Sequence, residues 1–402
     1  MLDFDSAQAR LAERTRRPDT PETLPLSELT GRVLAGDVVA ALDLPPADNS
    51  AMDGYAVRAT DLDALPVTLP VQQRCFAGQA PEPLGAGQAI RLFTGSVIPA
   101  GADTVIMQED CDEDEAGVTF KTPVRAGQHI RHRGEDMRRG VRILAQGELL
   151  GAGQIAALAA QGIAHAAVHP RLRVGILTTG DELAPPGQPL PPAAVYNSNA
   201  PMLASLCQGL GVAPALLRHA RDEAAAIEAA LDELADQCDL VLSVGGASVG
   251  EKDLVKPAIE ALGGSLDLWR VRMKPGKPVA LAELKNRPMV CLPGNPVSAF
   301  VVFALLVSPL IRRLQGRSRV FPPVRRGILQ TGRPLGGDRD DFLRVQATPQ
   351  AAGLPLLVPH AQQSSGALSS LGWADALARI PAGSRLESGA EIDWYALGDW
   401  LA

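Results

Sequence analysis

Cysteine is sparse and scattered in this chain: Cys75, Cys111, Cys207, Cys238 and Cys291 lie far apart, are odd in number and include no Cys-x-x-Cys pair. Neither a disulfide framework nor a thiolate zinc site is signalled, and a reducing, cytoplasmic setting is expected. Histidine is equally thin, with six residues and no His-Glu-x-x-His spacing, which leaves a zinc hydrolase unsupported. Positive charge is in deficit. A formal net charge of −7 argues against a general nucleic-acid binder, because displacing counterions from a phosphate backbone needs a basic surface. Any anionic ligand must therefore be held by local cations. No basic start followed by an apolar run marks a signal peptide, and Ala299–Leu306 reads as too short and too closely bounded by prolines to cross a bilayer. A soluble chain without membrane partners is expected.

What is present is globular in balance, with 46% apolar and 21% charged residues, while 33 prolines and 39 glycines imply many turns and short connections. A length of 402 residues is long for one core, so several domains are expected. A polar amphipathic helix opens the chain, beginning near Ser6. Between about Asp43 and Gly134, short runs such as Ala89–Phe93 and Thr104–Met107 are punctuated by Gly, Pro and Asp, which reads as a small all-β unit. Helical periodicity returns at Leu149–Gly162. The expected organisation is a discontinuous helical and linker domain (1–42 and 135–171) interrupted by an inserted β domain (43–134). From Arg173 the pattern alternates strand and helix: Val174–Thr178, Asn199–Gly209, Ala215–His219, Asp222–Asp236, Leu240–Val244. Such alternation implies right-handed crossovers and a mostly parallel sheet, a three-layer α/β domain over 172–317. Asp222 is a candidate N-cap for its helix. Pro- and Gly-punctuated strands over 318–402 predict a C-terminal β-barrel or sandwich. The fold class expected is thus multidomain α/β plus β.

Ligands of open α/β sheets bind beyond the carboxyl ends of the strands. Two segments stand there. Thr178-Thr179-Gly180-Asp181-Glu182 ends a strand in hydroxyls, a glycine and two acids. Ser243–Asp253 carries Gly245, Gly246 and Gly250, whose backbones can approach an oxyanion, Ser248 as a further donor, and a following helix N-terminus. Met273–Pro278 places Lys274 and Lys277 on a proline-stiffened turn suited to a phosphate clamp. Leu292-Pro293-Gly294-Asn295-Pro296-Val297-Ser298 offers a tight turn at a helix start, for which plain capping is an equally good account. Away from this domain lie Asp48–Tyr55 and Arg131–Arg139; solvated charge accounts for the arginine-rich segment taken alone. Acids beside anion clamps suggest a hard cation bridging carboxylates to an anionic substrate.

In chain order, Asp48–Tyr55, Thr94-Gly95, Gly134-Glu135-Asp136, Thr179–Leu183, Gly245–Asp253, Lys274–Pro278, Leu292–Ser298 and Ser364-Ser365-Gly366 resemble the molybdopterin molybdenumtransferases, the MoeA family that includes the E domain of gephyrin. The resemblance implies a four-domain subunit in a homodimer, with each site between the α/β domain of one subunit and the N-terminal domains of the other. It implies insertion of molybdenum from molybdate into adenylated molybdopterin, with Mg²⁺- or Zn²⁺-dependent cleavage of the adenylate and release of AMP. Asp53, Thr94, Asp136, Glu182, Asp222 and Asp253 fall on functional positions of the family. Of these, Glu182, Asp222 and Asp253 are the implied metal ligands of the α/β domain, and Asp53, Thr94 and Asp136 the contribution of the partner subunit. Thr179, Gly180, Asp181, Gly245, Gly246, Ser248, Gly250, Arg270, Lys274, Lys277, Pro293, Asn295, Pro296 and Ser365 are the implied binding residues. The chain departs from the family's pattern at Arg270, where many relatives carry lysine, and at Ala374-Asp375, where they carry Ala-Asn. The implied protein partners are the upstream adenylyltransferase and downstream cofactor-handling proteins. Two alternatives remain at this point: the adenylyltransferase that makes the substrate, and a non-catalytic scaffold of the gephyrin kind.

Overall fold

The computed structural model describes residues 2–13, 20–245 and 254–401. A short helix, α1 (Phe4–Glu13), opens the chain. The α/β domain follows the inserted region and runs β1 (Val174–Thr179), α2 (Asn199–Gly209), β2 (Leu216–Ala220), α3 (Ala224–Gln237), β3 (Leu240–Val244), α4 (Val255–Ala261), β4 (Ser265–Arg270), β5 (Pro278–Leu284), β6 (Arg287–Leu292) and α5 (Pro296–Val302). Its six-stranded sheet has the order β2-β1-β3-β6-β5-β4. The first four strands are parallel, whereas β5 runs antiparallel to its neighbours β6 and β4, so that the edge strand β4 again follows the direction of the first four.

Both faces of the sheet are covered, which is why its central strands read as unbroken apolar runs. On one face Val174 and Ile176 pack with Leu203 and Cys207 of α2 and with the helix that begins at Pro296. Leu177 turns to the other face, against Ile227, Leu231 and Leu234 of α3 and Ile259 of α4. Each such fully buried aliphatic side chain contributes about 1.5–3 kcal/mol. Phe4, Ala7 and Leu11 of α1 belong to the first of these cores. The opening helix thus packs on the α/β domain rather than on the N-terminal segment it adjoins in sequence.

The apolar segment expected to stop at Leu306 continues. Pro296–Val302, a π-helical stretch Phe303–Val307 and Ser308–Leu314 form one helical run. It is 19 residues long and apolar enough to pass as a membrane span, yet its most apolar window is 89% buried inside the protein, as a core helix is. Pro309 sits inside this run instead of bounding it. Having no N–H, it removes one backbone donor from the turn before it. Gln8 Nε2 supplies Leu305 O at 2.7 Å, while Ser308 Oγ and Trp400 Nε1 supply Ala304 O at 2.6 and 3.0 Å.

In the inserted region Val71–Cys75, Ala89–Leu92, Gly54–Val57 and Thr104–Met107 form a four-stranded sheet, beside a three-stranded one. Strands from either side of that region pair with each other, Glu22–Pro25 with His165–Val168 and Val38–Val39 with Arg142–Leu144. At the C-terminus, Arg325–Leu329, Asp340–Thr348, Leu356–Pro359, Ala376–Ile380 and Glu391–Ala396 close into a ring, a barrel-like sheet without free edges between them. Met273–Lys274 adds to it in parallel at Asp340–Asp341, joining the α/β domain to the barrel.

Candidate functional site

The crossover from β1 runs through α2 to β2 on one side, and the next crossover carries the chain through α3 to β3 on the other side of β1. Where successive connections diverge in this way, the carboxyl ends of the two strands are left uncovered and form a crevice. Such a cleft is present, with a volume of about 550 Å³, lined by Glu182, Leu183, Val195, Tyr196, Ser198, Asn199, Gly245, Pro278 and Pro293–Pro296. The segments after β1, β3 and β6, singled out by sequence, thus share one cavity.

Two glycines shape it. Gly180 has φ +139°, and a Cβ there would strike the Glu182 carboxylate, so the acid lies folded back over the glycine. Gly245 has φ +100°, and a Cβ would meet Thr179 Oγ1 at 2.7 Å, so any side chain would press on the end of β1. The Asp222 N–H donates to Asp181 Oδ1 at 3.3 Å, joining the loops after β1 and β2. Asp222 is not the N-cap of α3. Glu223 holds that position with extended backbone and no side-chain capping bond, which leaves Asp222 in the loop beyond the strand. Gly246, Ser248, Gly250 and Asp253 lie outside the described residues. Among the described residues no three His, Cys, Asp or Glu side chains gather as a metal cluster.

The cationic turn is engaged by the barrel. Lys274 Nζ donates to Asp341 Oδ2 at 2.8 Å, while Lys277 and Arg270 are exposed. Asn295 stands at the N-cap of α5 without capping it through its side chain, and its Nδ2 donates to Ser365 Oγ at 3.3 Å. Pro296 opens the helix, where a missing N–H costs nothing. Ser365 is presented by a loop built around Arg344, which is fully buried and donates from Nη2 to the Ser364 carbonyl at 3.1 Å and from Nε to Ser370 Oγ at 3.1 Å. Burial pushes its guanidinium pKa down. Sequence reasoning missed Tyr196, Ser198 and Asn199. Asn199 Nδ2 donates to Gly294 O at 2.7 Å, whereas its Oδ1 is buried without a partner beside the cleft. A polar residue opening an apolar helix was the signal that could have found it.

In the inserted domain, the pairing of Gly54 with Leu92 sets Asp53 beside Thr94. Asp53 Oδ1 accepts from the Thr94 N–H at 2.7 Å and from Thr94 Oγ1 at 2.8 Å. These two bonds, with the Arg91 charge nearby, hold its pKa below the usual carboxylate value. Asp136 is exposed, with its N–H donated to Leu44 O at 3.0 Å. No described residue lining the cleft comes from 43–171, so Asp53, Thr94 and Asp136 do not complete the cleft of their own chain.

Residues 2–162 match the MoeA N-terminal region (domains I and II), 175–313 a family described as probable molybdopterin binding domain, and 326–397 the MoeA C-terminal region (domain IV). Molybdopterin molybdenumtransferase of Synechococcus elongatus is 37% identical, over 99% of this chain and 100% of that protein. Molybdopterin molybdenumtransferase 2 of Mycobacterium tuberculosis is 36% identical, over 92% of this chain and 94% of its own. Among solved structures, the molybdopterin biosynthesis MoeA protein of Pyrococcus horikoshii OT3 superimposes with a TM-score of 0.83 at 29% identity, covering 98% of this chain and 100% of that one.

Proposed function

The chain belongs to the MoeA family of molybdopterin molybdenumtransferases, enzymes that insert molybdenum in molybdenum cofactor biosynthesis, and on that premise we propose that the cleft beyond β1, β3 and β6 is where adenylated molybdopterin meets molybdate. The observation that carries this reading is the meeting of Glu182, Gly245, Asn199 and Asn295 in one cavity at the divergence of the crossovers. Both the adenylate's phosphoanhydride and molybdate are oxyanions, so the site must offer donors and cations without a covalent nucleophile. Glycine backbones and asparagine amides supply the donors. Lys277 and Arg270 supply positive charge, and Lys274 does so in exchange for its bond to Asp341. Asn295 and Ser365 hold the substrate's far side against the barrel.

The donor set suits Mg²⁺ better than Zn²⁺: Glu182, folded over Gly180, and Asp222 offer only carboxylate oxygens. Mg²⁺ takes oxygen ligands and fills the positions that carboxylates leave open with phosphate and water. Glu182 and Asp222 would hold the ion, with Asp253 as the third acid; when bound, it supplies charge neutralisation and polarisation of the phosphoanhydride. The reaction ends in molybdenum on the dithiolene and free AMP. Asp53, Thr94 and Asp136 act in the cleft of a partner subunit within a homodimer. We read the protein as soluble and cytoplasmic, receiving its substrate from an adenylyltransferase. Neither the adenylyltransferase nor the scaffold alternative is favoured, since the relatives matched over nearly the whole chain are molybdenumtransferases.

The test is to mix the protein with adenylated molybdopterin, Mg²⁺ and molybdate and to follow AMP. Wild type is expected to release AMP and Glu182→Gln to lose about a hundredfold in rate, the scale of removing one charge-stabilising group from a site. Failure of the wild type to release AMP from authentic substrate would overturn the reading.

A further inference from the structure

Beside Asp53 and Thr94 the inserted domain carries an aromatic arrangement for which the preceding chemistry has no use. The rings of Phe76 and Phe93 stack with centroids 4.4 Å apart and planes 6° from parallel. Phe93 immediately precedes Thr94, the double donor to Asp53. Arg91 lies over Phe93 at 5.0 Å and over Tyr55 at 4.9 Å; it is 7% exposed, and its Nη1 is buried without a hydrogen-bond partner. Phe76, by contrast, is 51% exposed. Leaving a phenyl ring in water forfeits its burial energy, and a ring left so would ordinarily be mobile. This one rests face to face on Phe93, and its backbone is held in a tight turn in which the Gln79 side chain accepts from the Phe76 N–H at 3.0 Å and the Gln79 N–H donates to Phe76 O at 3.0 Å. A fixed planar ring backed by a second ring and a cation is a stacking shelf.

We propose that Phe76, backed by Phe93 and Arg91, stacks a planar nitrogen heterocycle of the substrate, the pterin or the adenine, while Asp53 and Thr94 act beside it. The proposal rests on the functional reading given above. The substrate has two flat ring systems flanking its anionic middle, and no aromatic ring has so far been assigned to either. Aromatic stacking is tolerant of ring identity and needs only a flat face, so either end could use the shelf. Phe76 is then a substrate-binding residue that contributes affinity and no chemistry.

The experiment compares wild type, Phe76→Ala and Phe76→Trp as full-length protein. Phe76→Ala is expected to raise KM for adenylated molybdopterin about tenfold, the scale of one lost base–aromatic stack, with kcat within about twofold. Phe76→Trp restores KM. Two probes identify the ring: weaker binding of free AMP by Phe76→Ala assigns the adenine, and weaker binding of unadenylated molybdopterin with unchanged AMP assigns the pterin. Sedimentation of each variant accompanies the kinetics. An unchanged KM, a fall in kcat alone, or a KM effect that tracks dissociation of the protein into monomers overturns the shelf; the last outcome makes the ring an interface residue. These failures are read only against a turning-over wild type, so they are distinct from failure of the enzyme assignment itself.

Discussion

A single carboxylate shows how local geometry sets chemistry here. Asp53 takes both its hydrogen bonds from one residue, the N–H and the hydroxyl of Thr94, and both favour the ionised acid. Its pKa in the folded protein is therefore depressed. The sign follows: the stabilisation is fully present above the ordinary carboxylate pKa and is lost as pH falls through the lower folded value. Thr94→Val removes the hydroxyl donor but keeps the N–H, so the Asp53 pKa should rise part of the way towards its ordinary value. A carboxyl-carbon NMR titration of the two proteins measures this directly, and an unmoved pKa would show that the hydroxyl bond does not matter in solution. Glu182 is the counterpart in the α/β domain, an acid whose position depends on a neighbour having no side chain at all.

At the level of elements, the helical run from Pro296 to Leu314 organises the core and is interrupted by its own sequence. Pro309 removes a backbone donor from the run, and the Leu305 and Ala304 carbonyls there accept from side chains in distant parts of the chain, Gln8 and Trp400, with the Ser308 hydroxyl as a further donor to Ala304. Gln8→Ala is expected to cost about 1–2 kcal/mol, the penalty of a buried acceptor left without its donor, and chemical denaturation with an unchanged m-value would register it. The prediction fails if stability is unaltered. None of this was legible from sequence, where the proline read as a boundary, because the compensation comes from partners almost 300 residues away. The alternation from Val174 onward was legible, since strands buried on both faces and helices with apolar stripes write their periods locally. Gly180, Glu182 and Gly245, singled out at the ends of β1 and β3, do lie together at the cleft. The position of Tyr196 in the cleft was not legible, because it follows from where the chain leading into α2 passes relative to β6; Asn199 left only the weak local signal of a polar residue opening an apolar helix. The capping role expected of Asp222 went to Glu223, one residue along, within the uncertainty of any helix end read from sequence.

For the whole molecule, the separation of Asp53 and Thr94 from the cleft of their own chain has an experimental signature. If the two halves of each site come from different subunits, Asp53→Asn and Glu182→Gln should each be inactive alone. Mixed and reassembled in equal amounts, they should regain up to about a quarter of wild-type activity, because half the dimers are mixed and each of those holds one intact site. An absence of recovery, with subunit exchange verified by differently tagged chains, would place all the residues in one chain's site or none. A different consequence follows from the helix α1. Phe4, Ala7 and Leu11 complete the apolar interior of a domain that begins in sequence some 160 residues later, and Trp400 reaches the same helical run from the opposite end of the chain. The α/β unit is consequently not a portable module. Cut out at its sequence limits, it would expose the seat of α1 and take one donor from each of two carbonyls, so anyone dissecting this protein must carry both ends of the chain along with its middle.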